Sequence, residues 1–202
     1  MDPSKLMLSA EESAMVRNSD WLLTKNIIIQ KAVMLLGEAA AGLQIMLQQN
    51  PNVPAEVVAS SPKIAKGENY KGLPYVMLDY PRLFHRDHVF AFRTMFWWGN
   101  FISVTWQMKG KYQEQYSAGI VANHSTLAAA NFQVCINEDE WDHDFHNANY
   151  KAVDQLSTAE FAVLIRQKPF CKLAVKLPLD TWNVATGRLA EIYQFLFVVM
   201  ES

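Results

Sequence analysis

Apolar residues recur every three to four positions near the start of the chain, a spacing that predicts helices. A Ser-x-x-Glu capping box opens a short helix over residues 9–17. A long amphipathic helix, with Asp20 as its predicted N-cap, follows over residues 20–48 and ends before Asn50-Pro51. A helix of this length offers more apolar surface than a small sheet needs. Residues 20–48 are therefore a candidate interface for a homodimer.

Beyond residue 72 the apolar pattern alternates, and this change of period predicts strands separated by helices. Gly99-Asn100 closes two strands into a hairpin, and Pro81 ends the strand before it. The predicted strands are residues 75–80, 88–98, 101–109, 132–136 and 170–177. The further predicted helices are residues 111–129, 137–146, 157–168 and 182–200. This order indicates one α+β domain, residues 1–202, with an antiparallel sheet of about five strands, an aromatic-rich central hairpin and helices on one face.

The stretch between residues 51 and 72 combines prolines and glycines with no sustained period, so it is predicted to be largely irregular. Pro54-Ala55-Glu56 is expected to start a single helical turn. Residues 63–71 carry three lysines and are interpreted as a solvated connector, with a mobile lid over a binding site as the alternative.

A two-residue turn would set the register of the central hairpin, with Trp98 opposite Phe101 and Arg93 opposite Trp106. One face then carries Val89, Ala91, Arg93, Met95, Trp97, Ile102, Val104, Trp106 and Met108. The other carries Phe90, Phe92, Thr94, Phe96, Trp98, Phe101, Ser103, Thr105, Gln107 and Lys109. The first face is apolar apart from Arg93, which therefore needs a carboxylate partner or a cation–π contact with Trp106.

The second face alternates aromatic rings with hydroxyl groups, a composition typical of a pocket wall or a partly wet interface. We therefore predict a site for a small anionic or polar ligand on the hairpin. Its candidate residues are Arg93, Thr94, Trp98, Ser103, Thr105 and Trp106. The competing interpretation is that helices cover both faces and that Arg93 makes only a structural ion pair, because aromatic stripes usually belong to cores.

Five carboxylates and two histidines are concentrated in the ten residues that begin at Asn137. On a helix, Asp139 would stand four residues from His143, and Asp142 four from His146, so that each pair could share a metal ion. Asp142, His143 and His146 are the metal candidates. Nothing in the segment supplies a converging third or fourth ligand, so no metal and no other cofactor is predicted. The alternative is a surface helix that Asn137 caps and whose acidic first turn offsets the helix dipole.

A His-x-x-His spacing, His85 and His88, precedes the hairpin and could place two imidazoles on one metal ion, with Asp87 behind them. Two ligands do not make a site, and Arg82 and Arg86 would oppose a cation. An exposed polar turn is therefore the preferred interpretation.

The overall composition narrows the classes of function. A net charge of −2, a pI near 6.2 and scattered basic residues argue against nucleic-acid binding. Three charged residues interrupt the apolar stretch 21–47, and no signal-peptide pattern is present at the start, so no membrane association is expected. The two cysteines occupy apolar, strand-like segments and are interpreted as buried thiols, which favours a cytoplasmic location.

No complete catalytic template occurs in the sequence: G-x-S-x-G, G-x-G-x-x-G, the P-loop and C-x-x-C are all missing. The leading hypothesis is therefore a non-catalytic domain that binds a small molecule or a partner through the hairpin face and the loop over residues 51–72. The alternative is an enzyme whose groups converge only in the folded chain. Those groups would be drawn from His85, His88, Arg93, Asp79 and the acidic segment.

Overall fold

Residues 3–201 are the part of the chain that the computed structural model describes, and they form seven α-helices and one seven-stranded sheet. The helices are α1 (Ala10–Val16), α2 (Ser19–Gln49), α3 (Ala55–Val58), α4 (Lys111–Ala122), α5 (His124–Ala129), α6 (Thr158–Gln167) and α7 (Ala185–Met200). The strands are β1 (Lys63–Tyr70), β2 (Leu73–Phe84), β3 (Val89–Trp97), β4 (Phe101–Lys109), β5 (Gln133–Cys135), β6 (Tyr150–Ala152) and β7 (Cys171–Pro178). Short 3₁₀ turns lie at Pro3–Leu6, Val153–Gln155 and Leu179–Val184.

The strand order is β1-β2-β3-β4-β7-β5-β6, and every neighbouring pair is antiparallel. The predicted α+β class is confirmed, although the strands number seven, not about five. The interpretation of residues 63–71 as a connector is wrong, because most of them form strand β1 at the edge of the sheet. Most β1 side chains are exposed on both faces, so this strand shows no alternation of apolar and polar residues.

The hairpin of β3 and β4 is confirmed, but its register differs by one residue from the prediction. Trp97, not Trp98, pairs with Phe101. The chain reverses in a four-residue turn in which the Asn100 amide donates to the Trp97 carbonyl, and Gly99 takes the third position with φ of 72°. A positive φ at the third turn residue is the signature of glycine in a type II turn, whereas the predicted two-residue turn would place glycine at the second.

This one-residue difference moves every β4 side chain to the opposite face of the sheet. On one face, which we call the helix face, β4 contributes Ile102, Val104, Trp106 and Met108 beside Phe90, Phe92, Thr94 and Phe96 of β3. Helices α2, α4 and α7 pack on this face, where Phe92 stacks on Tyr193 of α7. The opposite face, the covered face, carries Arg93 together with Ser103, Thr105 and Gln107. The main core therefore lies between the helix face and the helices.

Strand β2 does not end at Pro81, contrary to the prediction, but continues to Phe84. The Tyr80–Pro81 peptide bond is cis, and the pairing of β2 with β3 shifts between Asp79 and Arg82. Proline lacks the amide hydrogen that a regular ladder needs, so it is accommodated at a local irregularity of the strand.

Helix boundaries agree best with the sequence where a capping box is present. The boxes at Ser9 and at Ser157 both form and open α1 and α6. The N-cap of α2 is Asn18, not Asp20, since the Asn18 side chain accepts from the backbone amide of Trp21. The predicted helix over residues 111–129 is divided at Asn123 into α4 and α5.

Helix α2 is apolar on two opposite sides. One side is buried against the body of the protein through Ile29, Ala32, Leu35, Leu36, Ala39, Ala40, Leu43 and Leu47. At about 100° per residue, a second row lies on the far side, and we call it the outer stripe. It consists of Leu23, Ile27, Met34, Ala41 and Ile45. Its four large side chains are between 57% and 67% exposed.

No residue of α2 before Ile29 is fully buried, although Lys25 forms an ion pair with Glu68 of β1 and Ile28 packs against the main core. By length and composition alone α2 could cross a membrane, yet a third of its most apolar 18-residue window is buried in the protein. The buried contacts of the helix therefore lie from Ile29 onward, and its outer side is exposed.

Candidate functional site

The observed register divides the six predicted ligand residues between the two faces. The covered face holds Arg93, Ser103 and Thr105. Thr94 and Trp106 lie on the helix face, where the Thr94 hydroxyl is 2.5 Å from the hydroxyl of Tyr193. Trp98 lies in the hairpin turn, partly buried against the main core. The six side chains therefore do not converge on a single pocket.

Arg93 is held on the covered face by Asp79 of the neighbouring strand β2. Its Nε donates to Oδ1 at 2.6 Å and its Nη2 donates to Oδ2 at 3.0 Å, which is a bidentate ion pair. The guanidinium also contacts the rings of Phe84 and Trp141, 5.7 and 5.6 Å from their centroids. The predicted carboxylate partner is confirmed, whereas the predicted contact with Trp106 is wrong because that ring lies on the opposite face.

Residues 137–149, which we call the covering segment, lie over the covered face and are irregular, not helical. The predicted helix capped by Asn137 is wrong for a local reason. The Asn137, Asp139 and Asp142 side chains each accept from the backbone amide two residues further on. Such Asx turns compete with helical hydrogen bonding, and three of them in succession hold the backbone in another conformation.

Lys172 of β7 attaches the covering segment to the sheet. It is almost completely buried, and its ammonium donates to the backbone carbonyls of Glu140, at 3.1 Å, and Asp142. Burial lowers the pKa of Lys172 to about 8. Gln107 adds a hydrogen bond from Nε2 to the Glu140 carboxylate at 2.9 Å.

His143 is the buried histidine of the covering segment. Its Nε2 lies 2.8 Å from Nη1 of Arg93, and because a guanidinium can only donate, Nε2 accepts and the proton of the neutral ring resides on Nδ1. Burial, with the positive charges of Lys172 and Arg93, holds the pKa of His143 well below its usual range. Nδ1 is buried and has no hydrogen-bond partner among residues 3–201.

Asp142 anchors the outer edge of the covering segment. Its carboxylate accepts from the Tyr70 hydroxyl at 2.9 Å and from Lys71, and His146 lies 3.2 Å away. Although burial opposes its charge, the hydrogen bonds from the Asp144 amide, Lys71 and Tyr70 hold the pKa of Asp142 well below its usual range. The carboxylate is thus occupied by protein donors.

The metal candidates do not form a ligand cluster. Asp142 and His146 are in contact, but His143 points to Arg93. Within the described part of the chain, no group of three or more His, Cys, Asp or Glu side chains could hold a metal ion. His85 and His88 stack on each other with ring centroids 4.3 Å apart.

Neither thiol has the electrostatic environment of a nucleophile. Burial raises the pKa of Cys135, whose Sγ lies 3.5 Å from Oδ1 of Asn149, and it raises the pKa of Cys171 to about 12. Of the groups named for an enzyme, Arg93 and Asp79 meet beside His143, in a cluster where His143 is buried and the other two side chains are largely buried.

Because His143 is buried and neutral, we expect the protein to lose stability as the pH falls. Because its folded-state pKa lies below the ordinary value of 6.5, the unfolded chain binds more protons as the pH falls. We expect the free energy of unfolding to fall by up to about 1.4 kcal/mol per pH unit below about pH 6. Urea denaturation between about pH 5 and pH 8 measures this dependence.

The control for this prediction is His143→Gln, whose amide oxygen can still accept from Arg93 but does not titrate. Its pH dependence should be flatter than that of the wild type. His146→Gln removes the other histidine of the covering segment and shows how much any imidazole there contributes. A slope as steep in His143→Gln as in the wild type would contradict the role given to His143.

A second candidate site, the outer stripe of α2, has charged residues along one flank only. Lys31 and Glu38 lie on this flank, seven residues apart and on either side of Met34. Both are exposed, and neither takes part in any ion pair found among residues 3–201. The sequence signal for this site was present, since the stripe belongs to the helix predicted as a homodimer interface.

Comparison of the chain with protein-family models, with curated proteins and with solved structures found no match. The two candidate sites are therefore interpreted from their own geometry. One is a closed polar cluster on the sheet, and the other is an open apolar surface on a helix.

Proposed function

We propose that this protein is a non-catalytic binding protein that associates with a second copy of itself through the outer stripe of α2. The observation behind the proposal is that α2 carries apolar residues on two opposite sides, of which only one is buried by the protein's own body. Contiguous exposed apolar surface is typical of protein interfaces. The partner is a second copy because the stripe and its charged flank are self-complementary.

The chemistry of the covered face supports a role without catalysis. Arg93 is occupied by Asp79, Lys172 by two backbone carbonyls, and Asp142 by Tyr70 and Lys71. A catalytic group needs a free site beside it for the reacting atom. The raised thiol pKa values described above also argue against a cysteine nucleophile. A reducing cytoplasm, where both buried thiols stay reduced, fits the proposal.

Light scattering across a concentration series tests the proposal, with Met34→Lys as the disrupting variant. We expect a wild-type dimer and a dissociation constant at least about 100-fold larger for Met34→Lys, because burying a lysine in an apolar interface costs several kcal/mol. Val163→Lys is the matched control, since Val163 is an exposed apolar residue on α6 away from the stripe. A wild type that stays monomeric at all concentrations would refute the proposal.

A second candidate function is binding of a small anionic ligand at the covered face, with Arg93, Ser103 and Thr105 among its ligand residues. The observation in its favour is the buried Nδ1–H of His143, a donor for which residues 3–201 provide no acceptor. This function requires the covering segment to open and Arg93 to be available to a ligand. It therefore predicts that replacing Arg93 changes the free energy of unfolding only slightly, and urea denaturation of Arg93→Met tests this.

A further inference from the structure

We infer that the two α2 helices of the proposed dimer run antiparallel about a two-fold axis beside Met34, so that Lys31 of each copy faces Glu38 of the other. The inference rests on the proposed self-association and specifies its geometry.

The outer stripe has the symmetry that an antiparallel pair requires. With Met34 opposite its own copy, Leu23 of one helix stands opposite Ile45 of the other, and Ile27 stands opposite Ala41. Every large apolar residue of the stripe then meets another apolar residue. The matched stretch covers 23 residues, or about 33 Å at 1.5 Å per residue. Along it, Leu23 faces a side chain of similar size, Ile45, and Ile27 faces the small Ala41.

The charged flank distinguishes antiparallel from parallel pairing. Lys31 and Glu38 are seven residues apart, so they occupy the same flank of the helix, one on each side of Met34. In an antiparallel pair related by a two-fold axis perpendicular to the helices, the charged flanks of the two copies lie on the same side of the pair and run in opposite directions. Lys31 of each copy therefore lies level with Glu38 of the other, which gives two Lys–Glu contacts. In a parallel pair, the charged flank of each helix would instead lie beside the uncharged flank of the other helix. That flank carries the side chains of Asn26, Gln30, Gln44 and Gln48.

Cysteine cross-linking tests the direction of the helices. In Leu23→Cys/Ile45→Cys, a short bis-maleimide should join the subunits into a covalent dimer, whereas neither single variant should cross-link. The native Cys135 and Cys171 are buried, and the single variants also control for their reaction. Cross-linking of the single Leu23→Cys variant would show parallel helices and overturn the inference. A dimer in light scattering that the double variant fails to cross-link would also overturn it, while leaving the proposed self-association standing.

Charge reversal tests the flank contacts. Lys31→Glu and Glu38→Lys should each raise the dissociation constant of the dimer at least about tenfold, because each places like charges opposite each other twice. Lys31→Glu/Glu38→Lys should restore the wild-type value, since the pairs re-form with reversed signs. A double variant that dimerises no better than the single ones would overturn the inference. A monomeric wild type would overturn the proposed function itself.

Discussion

Arg93→Met is expected to lower the free energy of unfolding by about 3–5 kcal/mol, because it leaves a largely buried carboxylate without its partner. Asp79 is only 13% exposed and accepts both of its ion-pair hydrogen bonds from Arg93. The substitution also removes the donor to Nε2 of His143 and a cation that contacts two aromatic rings. Urea denaturation at neutral pH measures the change.

The matched control is Arg93→Met/Asp79→Leu, in which neither charge of the pair remains. Replacing both partners of a buried ion pair by apolar groups is often close to neutral, so the double variant should regain most of the stability lost by Arg93→Met. If Arg93→Met costs less than about 1 kcal/mol, the ion pair is dispensable to the fold, and the small-ligand hypothesis becomes the better account of Arg93.

Trp106→Ala is the second substitution with a large expected effect, a loss of about 3–5 kcal/mol of unfolding free energy. The ring is completely buried on the helix face, where Phe90, Phe92 and Tyr116 surround it at centroid distances of 5.6–6.1 Å. Truncation to alanine would leave a large cavity between the sheet and α4. Thermal and urea denaturation of the purified variant provide the measurement.

Trp106→Phe separates the loss of ring volume from the loss of the indole N–H. The N–H is buried and has no partner in the described part of the chain, so its removal sacrifices no hydrogen bond. We expect Trp106→Phe to cost only about 1–2 kcal/mol. An alanine variant as stable as the wild type would place Trp106 outside the core and return it to the candidate ligand residues.

Local sequence patterns predicted local structure well in this protein. The capping boxes at Ser9 and Ser157 form because both partners of each box lie within one helical turn. The hairpin strands were likewise recognisable, since alternating apolar residues and a glycine-containing turn are contiguous in sequence. The edge strand β1 gave no such signal, because solvent on both faces imposes no alternation on its side chains.

The register of the hairpin depended on one backbone conformation that the residue types left open. Gly-Asn is compatible with glycine at the second or at the third position of the turn, and the protein uses the third. Because side chains alternate between faces, this choice assigned Trp106 to the helix core and Thr105 to the polar face. A misplacement by one residue thus changed the predicted role of a whole strand.

The sequence by itself determined the α+β class, most helices and strands, and the need of Arg93 for either a carboxylate or an aromatic partner, because these follow from periodicity, capping and the cost of burying charge. Only the tertiary structure decided that the partner is Asp79, that residues 137–149 form an irregular cover, and that one apolar side of α2 stays exposed. The reason is physical. These outcomes depend on contacts between residues far apart in the chain, whose competing alternatives have similar local energies and differ only once the sheet and helices pack together.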